Sequence, residues 1–262
     1  MGTTARTSEE QITVRILVTG SNGQVGSEVA AIVDAASQHE LIRAARPDHD
    51  ITNRDNVLGL ITTTTPDVII HCAAMTAVDL CESEQEAAFA VNAAATRFVA
   101  DGARRVGAHV VYVSTDYVFD GTKDGPYNEW DEPNPQSIYG RSKLGGEAEI
   151  DPEWSIARTS WVCGFNGNNM VKTLLRLAGG GGEVAFVDDQ IGHPTMAGDL
   201  ASDAGQTRSR EGPRNVPPDQ PRVGVVVRVR PERLRNRWLG SITGQPHQHF
   251  GTRSAETSAK AG

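Results

Sequence analysis

The chain has 262 residues, a formal net charge of −8 and 38% hydrophobic residues, a composition typical of a folded globular protein. These figures exclude a collagenous or disordered chain, and no apolar run approaches the ~20 residues that a membrane span needs. The three cysteines form no CxxC pair, which argues against a structural zinc site. Residues 1–12 form a polar arm without the features of a signal peptide, so we expect a soluble, cytoplasmic protein.

Apolar runs alternate with helical patterns through the first 204 residues. Strands are predicted at residues 13–19, 40–44, 66–72, 108–114, 155–161 and 184–187. Helices are predicted at residues 24–36, 84–107 and 137–150. The strands are near-continuous apolar runs, as expected for strands that are buried on both faces. The pattern therefore predicts an α/β protein with a Rossmann-type doubly wound parallel sheet.

The charge is divided unevenly along the chain. Residues 205–262 carry a balance of +7, so residues 1–204 carry −15. This tail is rich in Arg, Pro and Gly, a composition that does not readily bury a core. Two explanations stay open: a reading-frame shift near residues 204–206, or a genuine basic tail that binds an anionic surface. A single-base correction of the coding sequence that restores a family-like end would favour the first.

Three glycines lie between the first predicted strand and the first predicted helix, in the run TGSNGQVG. Such a turn can approach a pyrophosphate closely and place it on the amino terminus of the helix. Glycines also simply close strand-to-helix turns, so this motif by itself is a weak signal of dinucleotide binding. The residues predicted here to bind a dinucleotide are Gly20, Asn22, Gly23, Gln24, Val25 and Gly26. The GxxGxxG spacing resembles the short-chain dehydrogenase/reductase superfamily.

A second motif, YxxxK, is formed by Tyr139 and Lys143 on a predicted helix. Residues four apart share a helix face, so the phenol and the ammonium can enter one site. We expect the ammonium to lower the tyrosine pKa, which would let Tyr139 exchange a proton with a substrate oxygen. Thr115 ends a predicted strand, where open α/β sheets bind their ligands. The alternative is a surface tyrosine beside a solvated lysine.

Longer segments resemble the dTDP-4-dehydrorhamnose reductase family over about residues 13–204. They are HCAAMTAVDLCE (71–82), VSTDYVFDG (113–121), YGRSKLGGE (139–147), RTSWVCG (158–164) and VDDQIGHPT (187–195). The resemblance implies a small C-terminal substrate lobe, incomplete if the tail is altered. The expected domains are an NAD(P)-binding domain at 13–160, substrate-lobe segments at 161–204 and the atypical tail at 205–262.

The resemblance implies NADPH-dependent reduction of the 4-keto group of dTDP-4-dehydro-L-rhamnose to dTDP-L-rhamnose. The implied catalytic residues are Thr115, Tyr139 and Lys143. Further implied cofactor contacts are Ala73, Ala74 and Thr76, with Tyr139 and Lys143. The implied substrate contacts are Thr115, Asp116, Tyr117, Trp161, Pro194 and Thr195, although Trp161 fits an apolar core role equally well.

Cofactor preference depends on the segment after the second predicted strand, where Arg46, Asp50 and Ile51 are expected to contact the cofactor. An arginine there can pair with a 2′-phosphate, whereas an acidic residue accepts a ribose hydroxyl. Both types are present, and NADPH is favoured over NADH. Two departures from the family pattern are Met75, which would weaken a substrate contact, and Cys163, which we expect to be a small buried residue.

Other functions of the same fold stay open. They are a nucleotide-sugar epimerase or dehydratase, a non-catalytic dinucleotide-binding regulatory protein, and a chain whose altered tail leaves it inactive. The expected partner is a dTDP-sugar, with neither nucleic acid nor membrane, since the arginines lack interleaved aromatics for base stacking. The resemblance allows a homodimer and an Mg²⁺ ion at acidic side chains, although the sequence shows no metal-ligand cluster.

Overall fold

The computed structural model describes residues 13–179, 190, 192–206 and 222–225, with residues 205–206 and 222–225 described by their backbone alone. The strands are β1 (Arg15–Thr19), β2 (Glu40–Ala44), β3 (Val68–His71), β4 (His109–Thr115), β5 (Ser155–Thr159), β6 (Val162–Cys163), β7 (Thr195–Met196) and β8 (Arg222–Val225). The helices are α1 (Gln24–Ala36), α2 (Arg54–Thr64), α3 (Val78–Ser83), α4 (Gln85–Phe89), α5 (Ala95–Val106), α6 (Ile138–Glu147), α7 (Met170–Gly179) and α8 (Ala197–Gln206). A π-helical stretch, Ala90–Ala94, joins α4 to α5, and a 3₁₀ turn, Asp116–Val118, follows β4.

The main sheet has six strands in the order β2-β1-β3-β4-β5-β8, and every neighbouring pair is parallel. Strand β2 lies on one side of β1 in the sheet, and the chain then returns to form β3 on the other side of β1. This reversal places a topological switch point between β1 and β3, where ligands of doubly wound folds bind. The predicted doubly wound parallel sheet is confirmed. Among the described strands, β2 alone lies beyond β1, whereas the six-stranded Rossmann order has two strands there.

Alternating residues of the strands fill two cores, one on each face of the sheet. On one face, Leu17, Ile69 and Val110 pack against α2 and α5. On the other face, the core consists of strand residues with residues of α1 and α8: Ile16, Val18, Val68, Ile70, Val111, Val29, Val33, Ala201 and Ala204. A smaller cluster of Cys81, Ala88, Ile138 and Tyr139 anchors α6 beside α3 and α4. The sheet is therefore covered by helices on both faces.

The tail contributes one strand that the sequence did not predict. Residues Arg222–Val225 form β8, which pairs with β5 from Ser155↔Arg222 to Arg158↔Val225. The predicted strand at 184–187, the polar arm at 1–12 and residues 207–221 and 226–262 of the tail lie outside the described residues. Among the helices that are described, none is both long enough and apolar enough to cross a membrane.

Candidate active site

The glycine run forms a tight turn at the switch point. Gly20 has a left-handed backbone (φ +64°), and a Cβ atom there would lie 2.8 Å from the backbone of Ala73. A Cβ atom on Gly26 would overlap the carbonyl oxygen of Gly20. Gly23 is the N-cap of α1, and no side chain caps that helix. The amide groups of the first helical turn are therefore suited to stabilise an anion, as the sequence predicted.

The segment after β2 brings together two of the residues predicted to select the cofactor. Arg46 Nη2 lies 3.3 Å from Asp50 Oδ1, and both side chains are largely exposed. The same carboxylate accepts hydrogen bonds from the backbone N–H and hydroxyl of Thr52, which together with Arg46 lower the pKa of Asp50. Ile51 packs against the core and, with Asp50, lines a recess at the ends of β1 and β2. This recess adjoins the switch point.

The loop after β3 borders the glycine turn from the other side. The Ala73 N–H donates to Thr19 Oγ1 over 3.3 Å, which ties the loop to the end of β1. Asn92, in the π-helical stretch, accepts from the Met75 N–H at 2.8 Å and donates to the Met75 carbonyl at 3.1 Å. Ala74 is half-buried and Thr76 is exposed. The loop is held by its backbone, which leaves these side chains beside the switch point.

The predicted catalytic residues meet at the carboxyl end of β4. Thr115 ends that strand, and Tyr139 and Lys143 lie on α6, whose amino terminus is capped by Ser137. Tyr139 is 9% exposed and Lys143 is 2% exposed, so both are buried. Lys143 Nζ donates to the Val113 carbonyl of β4 at 2.7 Å. The alternative of a surface tyrosine beside a solvated lysine is therefore wrong.

Two glycines of α6 allow this close approach to β4. A Cβ atom on Gly140 would overlap the carbonyl oxygen of Tyr117, and one on Gly146 would overlap the hydroxyl of Tyr112. The helix consequently lies directly against β4 and the 3₁₀ turn. This contact is what brings the Tyr139 side chain close to Thr115.

The electrostatics of the pair differ from the sequence expectation. Burial raises the pKa of Tyr139 to about 12, while the Thr115 hydroxyl lowers it and Asp116 raises it further. Burial also lowers the pKa of Lys143 to about 7, against the opposing effects of Glu147 and Cys72. The expectation that Lys143 lowers the tyrosine pKa is wrong for this structure, because the lysine is desolvated and bonded to a carbonyl. Tyr139 is a phenol at neutral pH.

Three of the predicted substrate residues, Trp161, Pro194 and Thr195, lie around the end of β5 and the small β6–β7 sheet. Trp161 is 36% exposed and has a left-handed backbone (φ +46°). Its carbonyl accepts from the Thr195 N–H at 3.3 Å, so Trp161 and Thr195 are neighbours. Pro194 is exposed, whereas Thr195 is fully buried. Cys163 is buried, as predicted.

Asp116 and Tyr117 follow Thr115 in the 3₁₀ turn after β4. Thr115 Oγ1 accepts from the Tyr117 N–H and donates to Asp116 Oδ1, both over 3.2 Å. The Tyr117 ring packs edge-on against the Tyr139 ring at 5.5 Å. Burial raises the pKa of Asp116. The turn therefore borders Tyr139 directly.

Sequence reasoning missed two groups of supporting residues. Asn169 Nδ2 donates to Gln24 Oε1 at 3.1 Å, which joins the start of α7 to the glycine turn. Glu147 and Arg158 form a buried ion pair beside Ser114. Asparagine before a helical pattern is a cap signal that would have predicted the start of α7, and Asn169 Oδ1 indeed accepts from the Lys172 N–H. The ion pair has no such local signal, since its partners come from different elements.

A metal site is not formed by the part of the chain that the structure describes. In that part, no group of three or more His, Cys, Asp or Glu side chains is placed to hold an ion. The three cysteines are free thiols, and burial raises the pKa of each of them.

The doubly wound sheet, the glycine turn at its switch point and the Tyr-Lys pair beside β4 define a protein of the short-chain dehydrogenase/reductase class. A sequence model described as the RmlD substrate binding domain matches residues 14–213. The chain belongs to that family, so the resemblance in its sequence motifs is confirmed.

Relatives and solved structures agree with this assignment. The chain is 43% identical over 191 residues to a dTDP-4-dehydrorhamnose reductase of Aggregatibacter actinomycetemcomitans, covering 72% of this chain and 65% of that protein. A crystal structure of such a reductase from Clostridium acetobutylicum matches with TM-score 0.71 and 42% identity, over 74% of this chain and 70% of that one. A crystal structure of a dTDP-4-dehydrorhamnose reductase from Bacillus anthracis, in complex with NADP, matches with TM-score 0.74 and 36% identity. The match covers 82% of this chain and 74% of that one. The chain thus spans just under two thirds of the length of the first of these relatives.

Proposed function

We propose that the protein reduces the 4-keto group of dTDP-4-dehydro-L-rhamnose with NADPH and forms dTDP-L-rhamnose. The observation that carries this proposal is the meeting of Thr115, Tyr139 and Lys143 at the carboxyl end of β4, beside the glycine turn. Relatives from Aggregatibacter actinomycetemcomitans and Sinorhizobium fredii, 43% and 44% identical to this chain, are named dTDP-4-dehydrorhamnose reductase.

The residues around the switch point fit a nicotinamide dinucleotide. The uncapped amino terminus of α1 would bind the pyrophosphate through the amides of Gln24, Val25 and Gly26. Arg46, Asp50 and Ile51 would hold the adenosine end, with the exposed Arg46 guanidinium on the 2′-phosphate of NADPH. When bound, the cofactor supplies a hydride to the 4-keto carbon.

The other cofactor contacts come from the turn and from the loop after β3. Gly20, Asn22 and Gly23 belong to the turn, and Ala73, Ala74 and Thr76 belong to the loop. Lys143 would hold the nicotinamide ribose. Since the Val113 carbonyl already orients its amine, the lysine needs little rearrangement to do so.

Tyr139 supplies the proton. Because burial raises its pKa to about 12, the phenol keeps its proton at neutral pH and can donate it to the oxygen that the hydride leaves negatively charged. Thr115 would turn its hydroxyl hydrogen from Asp116 Oδ1 to the same oxygen and so polarise the carbonyl. One hydride and one proton convert the ketone to the hydroxyl group, which leaves Tyr139 as phenolate until solvent restores it.

The sugar would lie between the 3₁₀ turn and the β6–β7 sheet. Asp116 and Tyr117 approach it from the Thr115 side, and Trp161, Pro194 and Thr195 from the other. Trp161 is partly exposed, which leaves its ring accessible to the apolar face of a sugar.

Product analysis tests this proposal against the epimerase alternative. The purified chain is incubated with NADPH and dTDP-4-dehydro-L-rhamnose, and the sugar products are separated and identified by NMR. We expect dTDP-L-rhamnose, formed in equal amount to the NADPH consumed. A sugar epimerised with no net consumption of NADPH would contradict the proposal, as would bound cofactor without any product.

A further inference from the structure

Glu147 ends α6 and joins three elements through its buried carboxylate. The residue is 5% exposed. Its Oε1 accepts from Ser114 Oγ at 2.5 Å and from Arg158 Nε at 2.9 Å, and its Oε2 accepts from Arg158 Nη2 at 2.6 Å. Ser114 lies on β4 and Arg158 on β5, so one carboxylate fastens the ends of both strands to the helix. We call these three residues the Glu147 cluster.

The Glu147 cluster lies directly behind the proposed reacting groups. Ser114 immediately precedes Thr115 in β4. Lys143 is one helical turn before Glu147 and bonds to the carbonyl of Val113, the residue before Ser114. Lys143 and Glu147 therefore contact adjacent residues of the same strand, so a displacement of Glu147 would move both Thr115 and Lys143.

Electrostatic attraction also links Lys143 and Glu147. Burial disfavours the Lys143 ammonium, while Glu147 and Cys72 favour it. The other groups that face this lysine are the Tyr112 ring, 4.0 Å from Nζ, and the neutral imidazole of His71. Arg158, itself 6% exposed, forms two hydrogen bonds to the Glu147 carboxylate that compensate for its burial.

We propose that Glu147 is a positioning residue of this site, which fixes Thr115 through Ser114 and keeps the buried Lys143 amine protonated. The catalytic consequence rests on the proposed function: beside its bond to the Val113 carbonyl, a protonated Lys143 keeps two hydrogens for the cofactor ribose, whereas the neutral amine keeps one. The effect on Lys143 itself does not depend on that function.

Lysine NMR tests the effect on Lys143 directly. The sequence has four lysines, Lys123, Lys143, Lys172 and Lys260, so a protein labelled with ¹³C at lysine Cε gives four signals. The Lys143 signal is assigned by its loss in Lys143→Met. In the wild type it should titrate at about pH 7. In Glu147→Gln half-protonation of Lys143 should require a proton concentration about threefold higher or more, so the titration midpoint moves to a lower pH.

Two further variants separate positioning from folding. Glu149→Gln makes the same change two residues later, where no described residue bonds the carboxylate, and should leave the Lys143 midpoint unchanged. Glu147→Gln leaves the Arg158 guanidinium buried without its partner and could unfold the protein. Glu147→Gln combined with Arg158→Met removes that charge, so its midpoint is decisive if the single variant does not fold. A wild-type midpoint in folded Glu147→Gln or in the folded double variant would overturn the proposal.

Turnover provides the second readout. Since Lys143 loses its proton as pH rises, kcat should fall on the alkaline side at a lower pH in Glu147→Gln than in the wild type, with the KM for the sugar little changed. A uniform loss of kcat at every pH, without a shift of the NMR midpoint, would assign the cluster a merely structural role. If the wild type has no reductase activity, the NMR midpoints still decide the role of Glu147, so the two proposals fail separately.

Discussion

At the scale of single residues, His71 holds the two sides of the switch point together through a buried chain of hydrogen bonds. The Ala73 N–H donates to Thr19 Oγ1, which lies 2.6 Å from His71 Nδ1. On the other side, His71 Nε2 lies 3.2 Å from Thr96 Oγ1, whose own hydrogen goes to the Asn92 carbonyl. Because Thr96 donates onward, the imidazole donates from Nε2. Burial lowers the pKa of His71 to about 3, so the ring is neutral at pH 7 and Nδ1 accepts from the Thr19 hydroxyl.

This chain predicts a loss of stability in acid. Burial, with a smaller effect of Lys143, lowers the pKa of His71 to about 3, against 6.5 for the ordinary residue. The unfolded chain therefore binds a proton that the folded chain excludes as pH falls from 6.5 towards 3. His71 should lower the free energy of unfolding by about 1.4 kcal/mol per pH unit in that window.

Urea titrations between pH 7 and pH 4.5 measure this slope. His71→Asn should be less stable at pH 7, since two hydroxyl groups lose their partner, but should lose less stability in acid. His193→Asn, at an exposed position, is the matched control and should keep the wild-type slope. Equal slopes in wild type and His71→Asn would contradict the assignment.

Arg46 carries the predicted preference for NADPH. Its side chain is 68% exposed, so solvent weakens the contact of the guanidinium with Asp50 and leaves it able to reach a 2′-phosphate. In Arg46→Ala the KM for NADPH should rise relative to that for NADH by roughly tenfold. Arg43→Ala is the control, because Arg43 lies within β2 and pairs with Asp34. An unchanged ratio in Arg46→Ala would remove Arg46 from the phosphate site.

At the scale of elements, the glycine turn and α1 act as one unit. In Gly26→Ala the added methyl group would meet the Gly20 carbonyl, which is backbone and cannot swing away. We expect the turn to open, dinucleotide affinity to fall at least about tenfold, and the melting temperature to fall. Isothermal titration with NADP and thermal melting measure the two effects.

Gly59 provides the matched substitution for that experiment. It lies inside α2, and a Cβ atom there would meet nothing within 4 Å. Gly59→Ala should therefore stabilise the protein by about 0.5–1 kcal/mol and leave dinucleotide binding intact. If both variants bound NADP equally well, the turn would not be the pyrophosphate site.

The helices and strands also show where sequence patterns are sufficient to predict the bounds of an element. Helix α1 and strand β2 have the predicted bounds, because apolar periodicity and flanking turn residues agree there. Helix α2 was not predicted, since threonines interrupt its apolar face, although its Asn53 cap is a readable signal. The long helix predicted at 84–107 is interrupted at Ala90–Ala94, where Asn92 bonds to the distant Met75. A contact of that kind has no local signature.

At the scale of the whole molecule, the motifs located the proposed site but not its electrostatics. Thr115 lies at the carboxyl end of β4, and helix α6 packs closely against that strand and brings Tyr139 and Lys143 to it. The pKa of Tyr139 was predicted in the wrong direction, since helical spacing does not show how deeply a pair is buried. Strand β8 was missed because the Arg- and Pro-rich composition of the tail outweighed its valine-rich run at residues 223–227. The origin of that tail stays a prediction.

The central claim is that this chain transfers a hydride at the site of Tyr139. We would follow the loss of NADPH absorbance with dTDP-4-dehydro-L-rhamnose in the wild type and in Tyr139→Phe, with NADP binding measured on both. The account predicts oxidation by the wild type and a fall of about 10² to 10⁴ in kcat for the variant, with NADP binding retained. Equal rates in the two proteins, or no oxidation by a wild type that binds both ligands, would contradict it.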